Sequence, residues 1–130
     1  MVTIGRLNVG FYKELTGLEI ISDEVVLTDD RASHIMSRRG VEFYNFCLPE
    51  LAGIISDPDY VFLDKHPNSV LVAKRICEIG INVVVRLAVE GDNPSYKNSV
   101  ITVIKENNKR FEQTLRNKSL IYEKCTQIVQ

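Results

Sequence analysis

Apolar positions change their spacing about halfway along the chain. In the first half they recur mostly at helical intervals; in the second half they form short runs set two to ten residues apart. "VTIGRLNVG" (2–10) alternates loosely and ends in glycine, which predicts a first strand. "EVVLT" (24–28) is β-branched and short, a strand or the approach to a helix. Thr28 can cap the next segment, with Asp29 and Asp30 in the first turn, where the positive helix end favours carboxylates. The helix is expected over 29–39, stopping at Gly40. Phe43, Phe46 and Cys47 keep helical spacing. Pro49 then opens another helix with an apolar stripe of Leu51, Ile54 and Ile55, and "SDPD" (56–59) ends it.

From residue 60 the pattern is that of strands. "YVFLD" (60–64), "VLVAKRI" (70–76), "NVVVRLAV" (82–89) and "SVITVIKE" (99–106) are strand candidates, with a turn at "HPNS" (66–69) and a polar loop at "EGDNPSYKN" (90–98). "NNKRFEQTLRN" (107–117) reads as a final helix and "SLIYEKC" (119–125) as a last short strand or tail. Short connections favour an antiparallel meander. Helices first and strands afterwards predict one α+β domain over 1–130, with N-terminal helices packed on an antiparallel sheet of four to five strands and a C-terminal helix.

Composition narrows the function classes. Hydrophobic residues make up 45% of the 130 and charged residues 25%, which suits a globular domain with a real core. The net charge of −1 gives no global basic field, so nucleic-acid binding would need a local basic patch. No apolar run follows Met1 and none approaches the length of a membrane span, which predicts a cytoplasmic protein without a signal peptide. Cys47, Cys77 and Cys125 have no zinc spacing and are expected to be free thiols. There is no GxGxxG, P-loop, HExxH, metal-spaced carboxylate cluster or serine elbow. No cofactor and no bound metal are expected.

The chemistry-bearing stretch is "DDRASHIMSRRG" (29–40). On a helix Arg31, His34 and Arg38 fall at i, i+3 and i+7 and share one face, bordered by Ser37. His34 suits acid–base work near neutral pH, and Arg38 or Arg39 could hold a phosphate through a planar fork of donors. The same residues also suit a solvated helix face with Arg31 paired to an aspartate. Arg86 interrupts an apolar strand, which suggests a sheet face open to solvent or ligand. Lys105, Lys109 and Arg110 form a basic junction between strand and helix. His66, in a turn, reads as an exposed histidine. Thr102 is an ordinary strand residue, and Tyr122 suits a core position or a hydrogen-bonding ring beside a site.

The order of these features resembles the phage-borne branch of the barnase–EndoU–colicin–RelE-type (BECR) nuclease superfamily. The resemblance covers about residues 20–125 and rests on "ASHIMSRRG" (32–40), "LPELAGIISDPDYVF" (48–62), "NVVVRLAV" (82–89), "VITVIKENNKRF" (100–111) and "LIYEK" (120–124). It implies a metal-independent ribonuclease-type toxin or RNA-processing domain from a phage or mobile element, with its site on the exposed side of the sheet. By position it implies catalytic roles for His34, Arg38 or Arg39, Thr102 and Tyr122; the mechanism it permits adds Arg86, with Arg31, Ser37, Lys105, Lys109 and Arg110 as candidate substrate-binding residues. RNA, with tRNA among the candidates, would be the substrate, and an antitoxin or immunity protein a partner; no membrane is implied. One departure is plain: Arg38 and Arg39 stand where many members place a second histidine. The alternatives are a catalytically degenerate RNA- or protein-binding module of the same fold, or a structural domain of a phage particle.

Overall fold

The apolar runs pair into one sheet whose two faces are covered unequally. The computed structural model describes residues 1–117 and 119–124. In chain order the elements are β1 (Val2–Arg6), α1 (Val9–Thr16), β2 (Glu24–Leu27), α2 (Asp29–Arg39) and α3 (Val41–Cys47). A short 3-10 turn (Leu48–Glu50) leads into α4 (Leu51–Ser56). After it come β3 (Tyr60–Leu63), β4 (Ser69–Ile76), β5 (Ile79–Arg86), β6 (Asn98–Glu106), α5 (Asn108–Asn117) and β7 (Ser119–Glu123). The class is α+β, as the pattern predicts.

The sheet differs from the expected meander in two ways. It has seven strands rather than four or five, in the order β1-β2-β6-β5-β4-β3-β7. The run β6-β5-β4-β3 is antiparallel, but β2 joins it parallel to β6, through Val25 and Val26 opposite Asn98 and Ser99. The first strand is also shorter than 2–10. It ends at Arg6, and the Asn8 side chain accepts a hydrogen bond from the Phe11 amide at 3.1 Å, capping α1. The third long strand occupies 79–86 rather than 82–89. Cys125 lies outside the described residues.

Alternation sorts the strand residues onto two faces. Val70, Val72, Ile81, Val83, Val85, Val100 and Val103 join the larger core with Tyr12, Ile35, Cys47, Leu51, Ile54 and Ile55 from the helices. The opposite face carries Phe62, Leu71, Ala73 and Val84 against Phe111 of α5. Gly80 lets α5 approach: a Cβ there would collide with the Phe111 ring, which also lies 5.1 Å beneath the Arg75 guanidinium. Buried Glu106 accepts from Asn82 Nδ2 at 2.7 Å and from Thr114 Oγ1 at 2.8 Å, fastening α5 at a second point.

Helix α5 covers only the end of this face nearest the β4–β5 turn, and the other end stays open. Across the open end Ser69, Arg86 and Ser99 form one register row, and Leu71, Val84 and Thr102 the next. Ser99 and Thr102 are three residues apart and would ordinarily face opposite ways. They share a face because Val84 and Val85 pair with Thr102 and Val100, leaving Ile101 as an extra residue that resets the alternation.

Candidate phosphate-handling site

Helix α2 takes its place because β2 accompanies β6 for only two residues. The chain then turns at Thr28, whose Oγ1 accepts the Arg31 amide at 3.3 Å, and α2 runs alongside the rest of β6. Ile35 is its buried anchor. With Ile35 turned to the core, Arg31 and His34 face the open end of the sheet.

There they line a cavity of about 400 Å³ together with His66, Pro67, Ser69, Val84, Arg86, Ile101 and Thr102. Five segments contribute: α2, the β3–β4 connection, β4, β5 and β6. Val84 and Ile101 give the floor an apolar part, and the polar groups converge over it, an arrangement usual in small-ligand sites. Of the residues expected from sequence, Arg31, His34, Arg86 and Thr102 come together here.

His66 is an exposed turn histidine, as the sequence suggests, and it also borders the same cavity. Its ring Nδ1 lies 2.8 Å from Asp64 Oδ2, and its backbone amide donates to the same oxygen at 3.1 Å. The Asp64 side chain is only 8% exposed. A carboxylate accepts hydrogen bonds, so Nδ1 carries the hydrogen and Nε2 is left to exchange protons. The local signal is Asp-x-His before a proline, an Asx-type turn. That this turn faces His34 depends on the strand register and cannot be read from spacing.

Arg86 is held more firmly than an open strand face suggests. Nη1 and Nη2 donate to Asp92 Oδ2 and Oδ1 at 2.7 and 3.1 Å, and Nη1 also reaches the Leu87 carbonyl. The guanidinium, helped by the Val89 amide, lowers the Asp92 carboxyl to about 2, and the hydrogen bond to Asp92 raises Arg86 in turn. Nε and one Nη2 hydrogen remain for a ligand. Arg31, by contrast, makes no ion pair among the described residues; nearby Asp29 pairs with the N-terminal ammonium at 2.7 Å.

The other expected residues lie elsewhere. Ser37 and Arg38 are exposed on α2 but do not line this cavity. Arg39 and Lys105 border a separate depression with Val41, Phe43, Phe46 and Cys77. Lys109 and Arg110 are exposed at the start of α5. Tyr122 pairs with Val61 in the sheet and packs edge-on against Phe11 at 4.9 Å, joining the larger core on the opposite face.

Among the described residues, no group of three or more His, Cys, Asp or Glu side chains is placed to hold a metal ion, and no helix is long and apolar enough to cross a membrane. Cys47 is buried, which raises its thiol to about 11, and Cys77 is exposed; both are free. No protein-family model, curated protein or solved structure matches the chain.

Proposed function

We propose that this chain is a metal-independent ribonuclease-type domain of the phage-borne BECR branch, cleaving RNA by attack of its own 2′-hydroxyl. The observation that carries the reading is the convergence of Arg31, His34, His66, Arg86 and Thr102 on one cavity. Two imidazoles flanked by guanidinium and hydroxyl donors match the demands of this reaction: a base, an acid and hydrogen bonds to the phosphoryl oxygens. The antiparallel β6-β5-β4-β3 run, with a histidine-bearing helix beside it, also suits a BECR-like core.

His34 takes the proton of the 2′-hydroxyl. The 2′-oxygen forms its bond to phosphorus as the bond to the 5′-oxygen breaks. His66, its Nδ1 committed to Asp64, delivers the Nε2 proton to the departing 5′-oxygen. The products are a 2′,3′-cyclic phosphate and a 5′-hydroxyl. Arg31, the remaining donors of Arg86, and Thr102 bind the phosphoryl oxygens as charge builds on them. His66 thus supplies the second histidine that α2 lacks. The substrate places the activity in a cytoplasm, either the producer's or a target cell's, where an antitoxin or immunity protein would cover this cavity.

The test is incubation of the purified protein with total RNA and with tRNA, with and without EDTA, beside His34→Ala and His66→Ala. Cleavage that persists in EDTA, leaves 2′,3′-cyclic ends and is lost in both variants is the expected result. Equal cleavage by all three proteins overturns the mechanism. The second reading, a non-catalytic RNA- or protein-binding module, draws on the commitment of Arg86 to Asp92 and Leu87. RNA binding without cleavage selects it.

A further inference from the structure

The cavity does not end at Arg86. The same side chain borders a second depression, also of about 400 Å³, whose wall includes Thr28, Ser95, Tyr96, Lys97 and Ser99. Arg86 and Ser99 lie one register row beyond Val84 and Thr102. Two strand residues separate the rows, about 7 Å along the strand, within reach of one nucleotide.

The two depressions differ in charge. Each cation bordering the second already has a partner: Lys97 meets Glu24 at 2.8 Å, Arg86 meets Asp92, and the N-terminal ammonium meets Asp29. The first has Arg31 without an ion pair among the described residues, and two histidines. An anionic phosphate therefore favours the first, and the second suits an uncharged group. Tyr96, 53% exposed, offers an aromatic ring there, Ser99 a hydroxyl, and Ser95 an acceptor oxygen, its hydrogen being given to Asn93.

The connection that carries Tyr96 is tied down. Asn93 Oδ1 accepts from the Ser95 amide and hydroxyl at 2.9 and 2.8 Å, and the Tyr96 amide donates to the Asn93 carbonyl at 2.9 Å. Asp92 joins Arg86 to the Val89 amide at 2.9 Å. Asn98 is buried where the connection enters β6, and its side chain bonds Ala88, Ser22 and Glu24. With the backbone held in this way, only the Tyr96 side chain has to be ordered when a flat ligand stacks on it.

The geometry points to a nucleobase subsite: the base next to the bound phosphate stacks on Tyr96, with Ser95 and Ser99 within reach of its edge. A base can stack this way only outside a duplex, so the subsite selects single-stranded RNA. The inference rests on the phosphate reading of the adjacent cavity.

Titration with the four nucleoside 3′-monophosphates and with inorganic phosphate, followed by NMR or calorimetry, tests it without turnover. Nucleotides are expected to bind more tightly than phosphate. Tyr96→Ala should weaken nucleotide binding by on the order of tenfold while leaving phosphate binding unchanged, and Tyr96→Phe should restore nucleotide affinity. Phosphate binding that depends on Arg31, with no gain from any base or no loss in Tyr96→Ala, overturns the subsite and leaves the phosphate reading standing. Absence of both phosphate and nucleotide binding overturns the two together.

Discussion

Asp64 holds His66 twice through one oxygen, at 2.8 Å from the ring Nδ1 and 3.1 Å from the backbone amide. The two bonds fix both the turn and the ring. In the proposed mechanism Asp64 is a positioning residue, whose effect on chemistry passes through His66. Loss of a general acid or base lowers turnover by about 10²–10⁴-fold, so His34→Ala and His66→Ala should each fall in that range. Asp64→Ala should lower kcat by at least about tenfold, a fraction of the loss from removing the imidazole itself. In the His66→Ala background it should cost almost nothing further, since its partner is gone. Additive losses in the double variant would show that Asp64 acts elsewhere.

The Arg86–Asp92 pair links the site to acid stability. Asp92 drops from 3.8 to about 2 in the folded chain, through Arg86 first and the Val89 amide second. A carboxyl lowered on folding stabilises the fold at pH values where it is ionised in both states, and loses that contribution as pH falls through the two values. Wild-type Tm should therefore decline between about pH 4 and pH 2 more steeply than that of Asp92→Asn, which lacks the titrating group. Thermal melts across that range, followed by circular dichroism, provide the comparison. Parallel pH profiles for the two proteins would show that the pair contributes nothing to acid sensitivity.

Much of this fold is legible in the sequence because local rules and tertiary packing agree. Thr28, the acidic first turn and Gly40 bracket α2 as expected, and the apolar runs from Tyr60 onward become strands. Helix α1 is hidden because Leu7 and Val9 repeat the two-residue spacing of Val2 and Ile4, while Asn8 caps the new helix. The parallel β2–β6 contact spans two residue pairs and leaves no periodic trace. Within the site, His34, Arg31, Arg86 and Thr102 are visible as residue types in suggestive places. Two decisive facts are not: Ile101 resets the face of β6, and the turn at His66 lies across the sheet from α2. Both are set by strand register. Tyr122 shows the converse, a residue singled out by sequence order that packs against Phe11 on the other face.

The β4–β5 hairpin departs from local preference. Ile76 pairs with Ile79, so Cys77 and Glu78 alone make the turn, with φ of 49° and 66°. A two-residue turn with both φ positive favours Asn-Gly, and a side-chain-bearing residue in the left-handed region costs roughly 1–2 kcal/mol. Glu78→Gly should therefore raise stability by about 1 kcal/mol, less some added unfolded-state entropy. Cys77→Asn should add to this while removing an exposed thiol. Urea midpoints measured at constant m-value would register the gain; an unchanged or lower midpoint would mean that Glu78 is held by contacts that offset its backbone cost.

Gly80, two residues further on, serves a different purpose. Its backbone lies beneath the Phe111 ring, and that contact brings α5 onto the sheet beside buried Glu106. Gly80→Ala must displace the ring, an overpacking cost of about 1–3 kcal/mol. Phe111→Ala empties the same position and should cost about 3–5 kcal/mol. Combined, the substitutions should cost less than their sum, because the added methyl occupies part of the space the ring vacates. The larger core, with Tyr12, Leu51 and Ile54, lies on the opposite face and should hold the strands in place in every variant. The phosphate binding proposed for Arg31, Arg86 and Thr102 should consequently survive Gly80→Ala even as the urea midpoint falls. Loss of binding in step with stability would instead mean that α5 supports the site through the shared strands β5 and β6.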